Sequence, residues 1–182
     1  MYKIIVYGGA FNPPHAGHVD VIKQLSNQCE RILVVPSFRH AFAKEMAPYD
    51  LRLQWLKTIC SDLAKQGIEA EADDCERAIG VSTNGPIYSL DMLKHVAERE
   101  GVEEGEIGFV IGEDNLQHIG RYHKANELLE TFALVVAKEQ IHLHSTDIRN
   151  ALGQGIAIEP SWLASGLSTA DYSYFSYPGA HA

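Results

Sequence analysis

Tyr2-Lys3-Ile4-Ile5-Val6-Tyr7-Gly8-Gly9-Ala10-Phe11-Asn12-Pro13-Pro14-His15-Ala16-Gly17-His18 is the stretch that decides the fold. A short β-branched run ends at paired glycines, and a proline-stiffened loop then opens a helix expected over 17–28. Arg31-Ile32-Leu33-Val34-Val35-Pro36 repeats the strand pattern, so the opening reads as β-α-β. Two later runs, Ile107-Gly108-Phe109-Val110-Ile111 and Phe132-Ala133-Leu134-Val135-Val136, are almost continuously apolar rather than alternating. Strands covered on both faces have that composition, which implies a parallel sheet.

Between these strands, 50–66 places Leu51, Leu53, Trp55, Leu56, Ile59, Cys60 and Leu63 at three- and four-residue intervals. This predicts a core-facing helix with Asp50 as its N-cap. Residues 68–72 read as a fifth strand, 89–99 as a helix with Leu90, Leu93 and Val96 inward, and 125–130 as a short helix. No repeat, linker or low-complexity tract divides the chain. The expectation is one α/β domain over 1–182: a Rossmann-like parallel sheet of about five strands with helices on both faces. Ligands of such sheets bind beyond the carboxyl ends of the strands, where strand order reverses. The segments at those ends are 8–18, 37–44 and 112–115.

A chain of 182 residues can bury one substantial core. Its 46% apolar and 21% charged residues are ordinary for a globular protein. The net charge of -9 argues against a broad basic surface, and so against polymeric nucleic acid as a partner. A small anion can still be held where a few cations and backbone N–H groups converge. The three cysteines, Cys29, Cys60 and Cys75, are odd in number and lack C-x-x-C spacing, which fits a reducing cytoplasm. No apolar run approaches the roughly 20 residues of a membrane span, and the first strand begins too near Met1 for a signal peptide. A homo-oligomer is compatible with all of this.

Gly8 and Gly9 let a phosphate approach the backbone, with Ala10 and Phe11 continuing the loop, and Gly17-His18 opens a helix whose N-terminus favours anions. His15 and His18 are three residues apart at the loop-to-helix junction, so both imidazoles can face one ligand. A plain turn in which each histidine caps locally is the alternative, and zinc ligation a second one, for which His40, His142 and His144 offer no fixed spacing. Further on, Ser145-Thr146-Asp147-Ile148-Arg149 begins a predicted helix, where hydroxyls, N–H groups and an arginine one turn on form either an anion site or an ordinary helix cap. Gly112-Glu113-Asp114-Asn115 supplies a tight turn and a carboxylate suited to ribose hydroxyls.

In these segments the chain resembles the H-x-G-H nucleotidyltransferase superfamily and, within it, the nicotinate/nicotinamide mononucleotide adenylyltransferases, whose bacterial form is G-G-x-F-x-P-x-H-x-G-H. The resemblance covers most of the chain, from Tyr2 to about Gly155. It implies adenylyl transfer from ATP to a pyridine mononucleotide, with Mg2+ on the triphosphate. Ser145 to Arg149 is similar to the family's S-S-T-x-I-R, which binds the β- and γ-phosphates, and Gly112-x-Asp114 to its adenosine-contacting G-x-D. Lys44 sits where a lysine contacts phosphate near the mononucleotide, and Arg52 matches a recurrent position. Tyr88-Ser89-Leu90-Asp91-Met92-Leu93 resembles a segment near the mononucleotide, which brings in Tyr88 and Asp91 beside Asn12. The implied catalytic set is His15, His18, Lys44 and Arg149. Four features depart from the pattern: Tyr122-His123 stands where a tryptophan is usual, His144 replaces the first serine of the second signature, only Lys138 to Leu143 join the last strand to it where a much longer connection is usual, and the tail from Glu159 differs. The alternatives are a transfer to phosphopantetheine or a cytidylyl acceptor, and a nucleotide-binding regulator without turnover.

Overall fold

A computed structural model describes residues 1–39 and 45–177. Its elements alternate as the sequence predicts: β1 (Tyr2–Gly9), α1 (Ala16–Leu25), β2 (Cys29–Pro36), α2 (Tyr49–Ala64), β3 (Ala70–Ala72), α3 (Cys75–Gly80), α4 (Ser89–Glu100), β4 (Ile107–Gly112), α5 (Glu113–Leu116), α6 (Ala125–Thr131), β5 (Ala133–Ala137) and α7 (Ser145–Gly153). Short 3-10 turns follow α7 at Pro160–Trp162 and Thr169–Ser176.

The five strands form one parallel sheet in the order β3-β2-β1-β4-β5. Ile5, Ile32, Val34, Val110 and Val135 face one way and pack on α1, α2, α7 and the C-terminal turns. Ile4, Val6, Leu33, Val35, Ile107 and Phe109 face the other way, onto α4 and α6. Alternate residues of β1, β2 and β4 therefore enter different cores, which is why those runs are apolar throughout. A fully buried side chain such as Ile5 or Leu33 contributes about 1.5–3 kcal/mol through burial. No helix among the described residues is long and apolar enough to cross a membrane.

Two local expectations need correction. The N-cap of α2 is Pro48, with Asp50 already inside the first turn and ion-paired to Arg77 at 2.6 Å. Residues 75–80 also form a helix that sequence periodicity does not indicate, because α3 is only six residues long.

Candidate functional site

The strand order reverses between β1 and β4, and a cleft of about 1160 Å³ opens over their carboxyl ends. Pockets for one small ligand are commonly about 300–1,000 Å³, so this cleft has room for two substrates side by side. Gly8, Gly9, Ala10 and Phe11 form its floor at β1, and Gly112 and Asp114 line it at β4. A side chain at Gly112 would have its Cβ 2.5 Å from Asp114 Oδ1, so a glycine is required for that carboxylate to fold back. Phe11 is 1% exposed and adopts a left-handed φ of 47°, a strained conformation for a bulky residue. Its ring packs against Tyr7 at 5.3 Å and His18 at 5.0 Å between centroids.

The histidine pair is built by the start of α1. His15 is the N-cap, and its Nδ1 accepts the Gly17 N–H at 3.1 Å. His18 Nδ1 in turn accepts the His15 N–H at 3.0 Å. Each imidazole thus spends Nδ1 on the backbone, so in the neutral form each carries its proton on Nε2. A Cβ at Gly17 would lie 3.0 Å from His15 Cε1, which explains the small residue between them. Burial pulls the His15 pKa down to about 4, helped by His144 and opposed by Asp147. His18 is held well below its ordinary value by burial and then by His15 and His144. Both are therefore neutral N–H donors at pH 7. Local capping occupies Nδ1 of each ring and leaves Nε2 outside the cap, and both residues line the cleft.

The start of α7 is stapled to the same loop. Ser145 Oγ donates to the Pro13 carbonyl at 2.8 Å, and Arg149 Nη1 donates to the Asn12 carbonyl at 2.6 Å. Arg149 Nη2 also reaches Thr146 Oγ1 at 3.1 Å. Two helix N-termini, those of α1 and α7, thereby line one cleft with His15, His18, Ser145, Thr146 and Arg149 between them. This is an arrangement for a multiply charged anion.

The opposite wall is held differently. Arg52 is 1% exposed and places its guanidinium on three carbonyls, Ala47 at 2.9 Å, Ala10 at 2.9 Å and Ser37 at 2.8 Å. Asn12, 3% exposed, accepts the Ala47 N–H on Oδ1 at 2.8 Å. Arg39 donates to the Thr83 carbonyl at 2.7 Å and the Gly80 carbonyl at 2.9 Å, fastening the 80–88 segment. Glu76 accepts the Phe38 N–H at 2.7 Å, and its pKa is pushed up to about 7 by burial, against the opposing pull of that bond and of Arg52. Tyr88 and His123 stack at 4.0 Å and 18° on this side of the cleft.

The cytidylyltransferase-like family model matches residues 6–168. The chain belongs to the cytidylyltransferase-like family. Within it, a Thermotoga sp. (strain RQ2) relative carrying the provisional name nicotinate-nucleotide adenylyltransferase is 30% identical over 136 residues, 74% of this chain. The chain spans about 64% of that relative's length. A solved Vibrio parahaemolyticus structure with the same provisional name is 30% identical with a TM-score of 0.74, covering 90% of this chain and 88% of the other. Plasmodium falciparum nicotinic acid mononucleotide adenylyltransferase, solved in complex with NaAD, shares the fold at 17% identity and a TM-score of 0.70, covering 96% of this chain and 94% of its own.

For this cytidylyltransferase-like chain, the cleft gathers Gly8, Gly9, Ala10, Phe11, Asn12, His15, His18, Tyr88, Gly112, Asp114, Ser145, Thr146 and Arg149 from the sequence-derived set. Arg52 and Asp91 are not among its lining residues: Arg52 lies beneath the loops, and Asp91 is exposed in the first turn of α4. Lys44 lies outside the described residues. Sequence reasoning missed Arg39 and Glu76, both of which line the cleft. Arg39 could have been found as a cation in the segment following the second strand. Nothing in the sequence marks Glu76.

Proposed function

We propose that this chain transfers the adenylyl group of ATP to nicotinate or nicotinamide mononucleotide, giving a dinucleotide and pyrophosphate in NAD biosynthesis. The observation that carries the reading is the convergence of the α1 and α7 N-termini on one cleft, with His15, His18 and Arg149 between them. The names of the relatives support the acceptor, and the volume of the cleft, about 1160 Å³, supports two nucleotides side by side.

In this reading a phosphate oxygen of the mononucleotide attacks the α-phosphorus of ATP, the bond to the β-phosphate oxygen breaks, and the electron pair leaves with pyrophosphate. The nucleophile belongs to the substrate, so the protein contributes position and charge stabilisation rather than a covalent intermediate. Gly8 to Phe11 cradle phosphate. His15 and His18 donate through Nε2–H, and Ser145, Thr146 and Arg149 hold the β- and γ-phosphates. Gly112 and Asp114 receive the adenosine. Lys44 acts on the acceptor phosphate, and Tyr88 stacked on His123 offers the aromatic surface that relatives obtain from a tryptophan. Asp91 is kept as an acceptor-side residue at the start of α4. Asn12 and Arg52 act through the loops they fasten. Mg2+ would be held on the triphosphate by phosphate oxygens and water, and would supply further charge neutralisation beside His15, His18 and Arg149. The three cysteines, all free and buried, support a cytoplasmic setting, and the net charge of -9 supports small nucleotides rather than nucleic acid or anionic membranes as partners. Sedimentation of the purified chain reads out any homo-oligomer.

The test supplies Mg-ATP with nicotinate mononucleotide, nicotinamide mononucleotide or phosphopantetheine and measures pyrophosphate release and product. Release with a pyridine mononucleotide is expected. Release only with phosphopantetheine moves the chain to another acceptor, and ATP binding without release in every arm makes it a regulator.

A further inference from the structure

The 12–14 segment is held by its carbonyls. Pro13 and Pro14 have no N–H to donate, so three consecutive oxygens carry the anchoring: Asn12 O receives Arg149, Pro13 O receives Ser145, and Pro14 O receives Tyr172 Oη at 2.5 Å. All three donors come from the C-terminal fifth of the chain. Tyr172 belongs to the tail whose sequence departs from the family pattern. It is fully buried, accepts the Ala164 N–H at 3.2 Å and packs edge-on against Trp55 at 6.0 Å. Trp55 Nε1 donates to the Asp171 carbonyl at 3.1 Å, and Asp171 accepts from both the N–H and Oγ of Ser168, at 2.7 and 2.8 Å. The tail is thus a fixed element with one polar side chain aimed at the motif loop.

The carbonyl that Tyr172 binds and the N–H that His18 Nδ1 accepts belong to the same peptide unit, Pro14–His15. A peptide unit is planar, so a bond that orients its C=O also orients its N–H. We infer that Tyr172 is a positioning residue for the transfer reaction: it fixes the plane of the Pro14–His15 peptide, and through it the ring orientation and Nε2–H tautomer of His18. Burial pushes the Tyr172 phenol up to about 12, so it remains a protonated donor at any working pH. Without the hydroxyl the plane is free to tilt, the acceptor bond of His18 Nδ1 weakens, and a share of His18 moves its proton to Nδ1.

This inference rests on the proposed adenylyl transfer for its kinetic arm, whereas its spectroscopic arm needs no substrate. The experiment compares wild type, Tyr172→Phe and Ser168→Ala, the last removing one hydroxyl of the tail while the Ser168 N–H bond to Asp171 and the Tyr172 contact with Pro14 remain. Two quantities are read: steady-state kinetics with Mg-ATP and the best acceptor, and the His18 tautomer from long-range 15N–1H correlations of the imidazole. Wild type is expected to show His18 protonated on Nε2 alone. Tyr172→Phe is expected to show mixed tautomers and a kcat reduced roughly ten-fold at little-changed KM for either substrate. Ser168→Ala is expected to keep the wild-type tautomer and kcat. A pure Nε2 tautomer with wild-type kcat in Tyr172→Phe overturns the inference, as does an Nδ1-protonated His18 in wild type, a result that does not depend on the variant folding. If no acceptor turns over at all while the tautomer shifts as expected, the reading of the reaction fails and the positioning contact stands.

Discussion

The two walls of the cleft are built by different means. On the β1 side, His15, His18, Ser145, Thr146 and Arg149 come from two short contiguous segments, each a loop entering a helix. On the β2 side, Arg52, Arg39 and Glu76 come from α2, the loop after β2 and α3, and each is committed to backbone partners far away in sequence. The first wall is also stapled to a distant loop, through Ser145 and Arg149, but it adds two imidazoles whose caps use only Nδ1, whereas the second spends its cations on loop carbonyls. On the proposed function, that difference separates residues that act on phosphate from residues that decide where the acceptor sits.

The largest effect is expected where the first wall meets the reacting phosphate. His18→Ala is expected to lower kcat by roughly 10²–10³-fold, the usual cost of removing one donor aimed at transition-state charge. Its melting temperature should shift by only a few degrees, since the lost backbone bond contributes about 1 kcal/mol. Because the imidazole is neutral, an uncharged donor is the closer mimic: His18→Gln should retain more activity than His18→Lys. Kinetics of the three variants at pH 7.5 decide this, and a better lysine variant would show that charge rather than N–H placement matters on that wall.

The contrast also explains what the sequence disclosed. The H-x-G-H segment was legible because its geometry is local: three-residue spacing at a helix start places both rings together, and Gly17 leaves room for the His15 ring. The start of α7 was legible for the same reason. β1, β2 and β4 could be placed because they are buried on both faces, and their apolar runs carry that fact directly. Arg52 was read as a site residue, yet its burial depends on Ala47, Ala10 and Ser37 converging from three segments, which no spacing encodes. Glu76 was invisible because α3 is too short for a periodic signal. The tail was unreadable because Tyr172 meets Pro14 across 158 positions.

A smaller and more selective effect is expected on the second wall. Arg39→Ala removes the donors that hold the Thr83 and Gly80 carbonyls, freeing the segment that carries Tyr88 to the cleft. KM for the mononucleotide is expected to rise about ten-fold, the equivalent of about 1.4 kcal/mol, while KM for ATP and kcat change less than two-fold. Arg39→Lys restores one donor but not the fork, and should recover only part of the loss. Equal rises in both KM values would erase the distinction between the walls.

The smallest effect is a titration within that second wall. Glu76 has its pKa raised from 4.5 to about 7, chiefly by burial. A carboxyl raised on folding means that the folded state binds the proton more tightly than the unfolded state, so stability falls as pH rises from about 4.5 to about 7 and levels off above that. Below the unfolded value both states are protonated and the group contributes no slope. Glu76→Gln retains an oxygen to accept the Phe38 N–H but cannot ionise, so its contribution to that slope vanishes. Urea denaturation at pH 5 and pH 8 should show the variant gaining on wild type at the higher pH, by about 1–2 kcal/mol once partial exposure and the nearby Arg52 charge are allowed for. A variant that tracks wild type at both pH values would mean that Arg52 fully compensates the Glu76 carboxylate. The second wall would then be an ion pair indifferent to pH, and acceptor binding on it should show no dependence on Glu76 between pH 6 and 8.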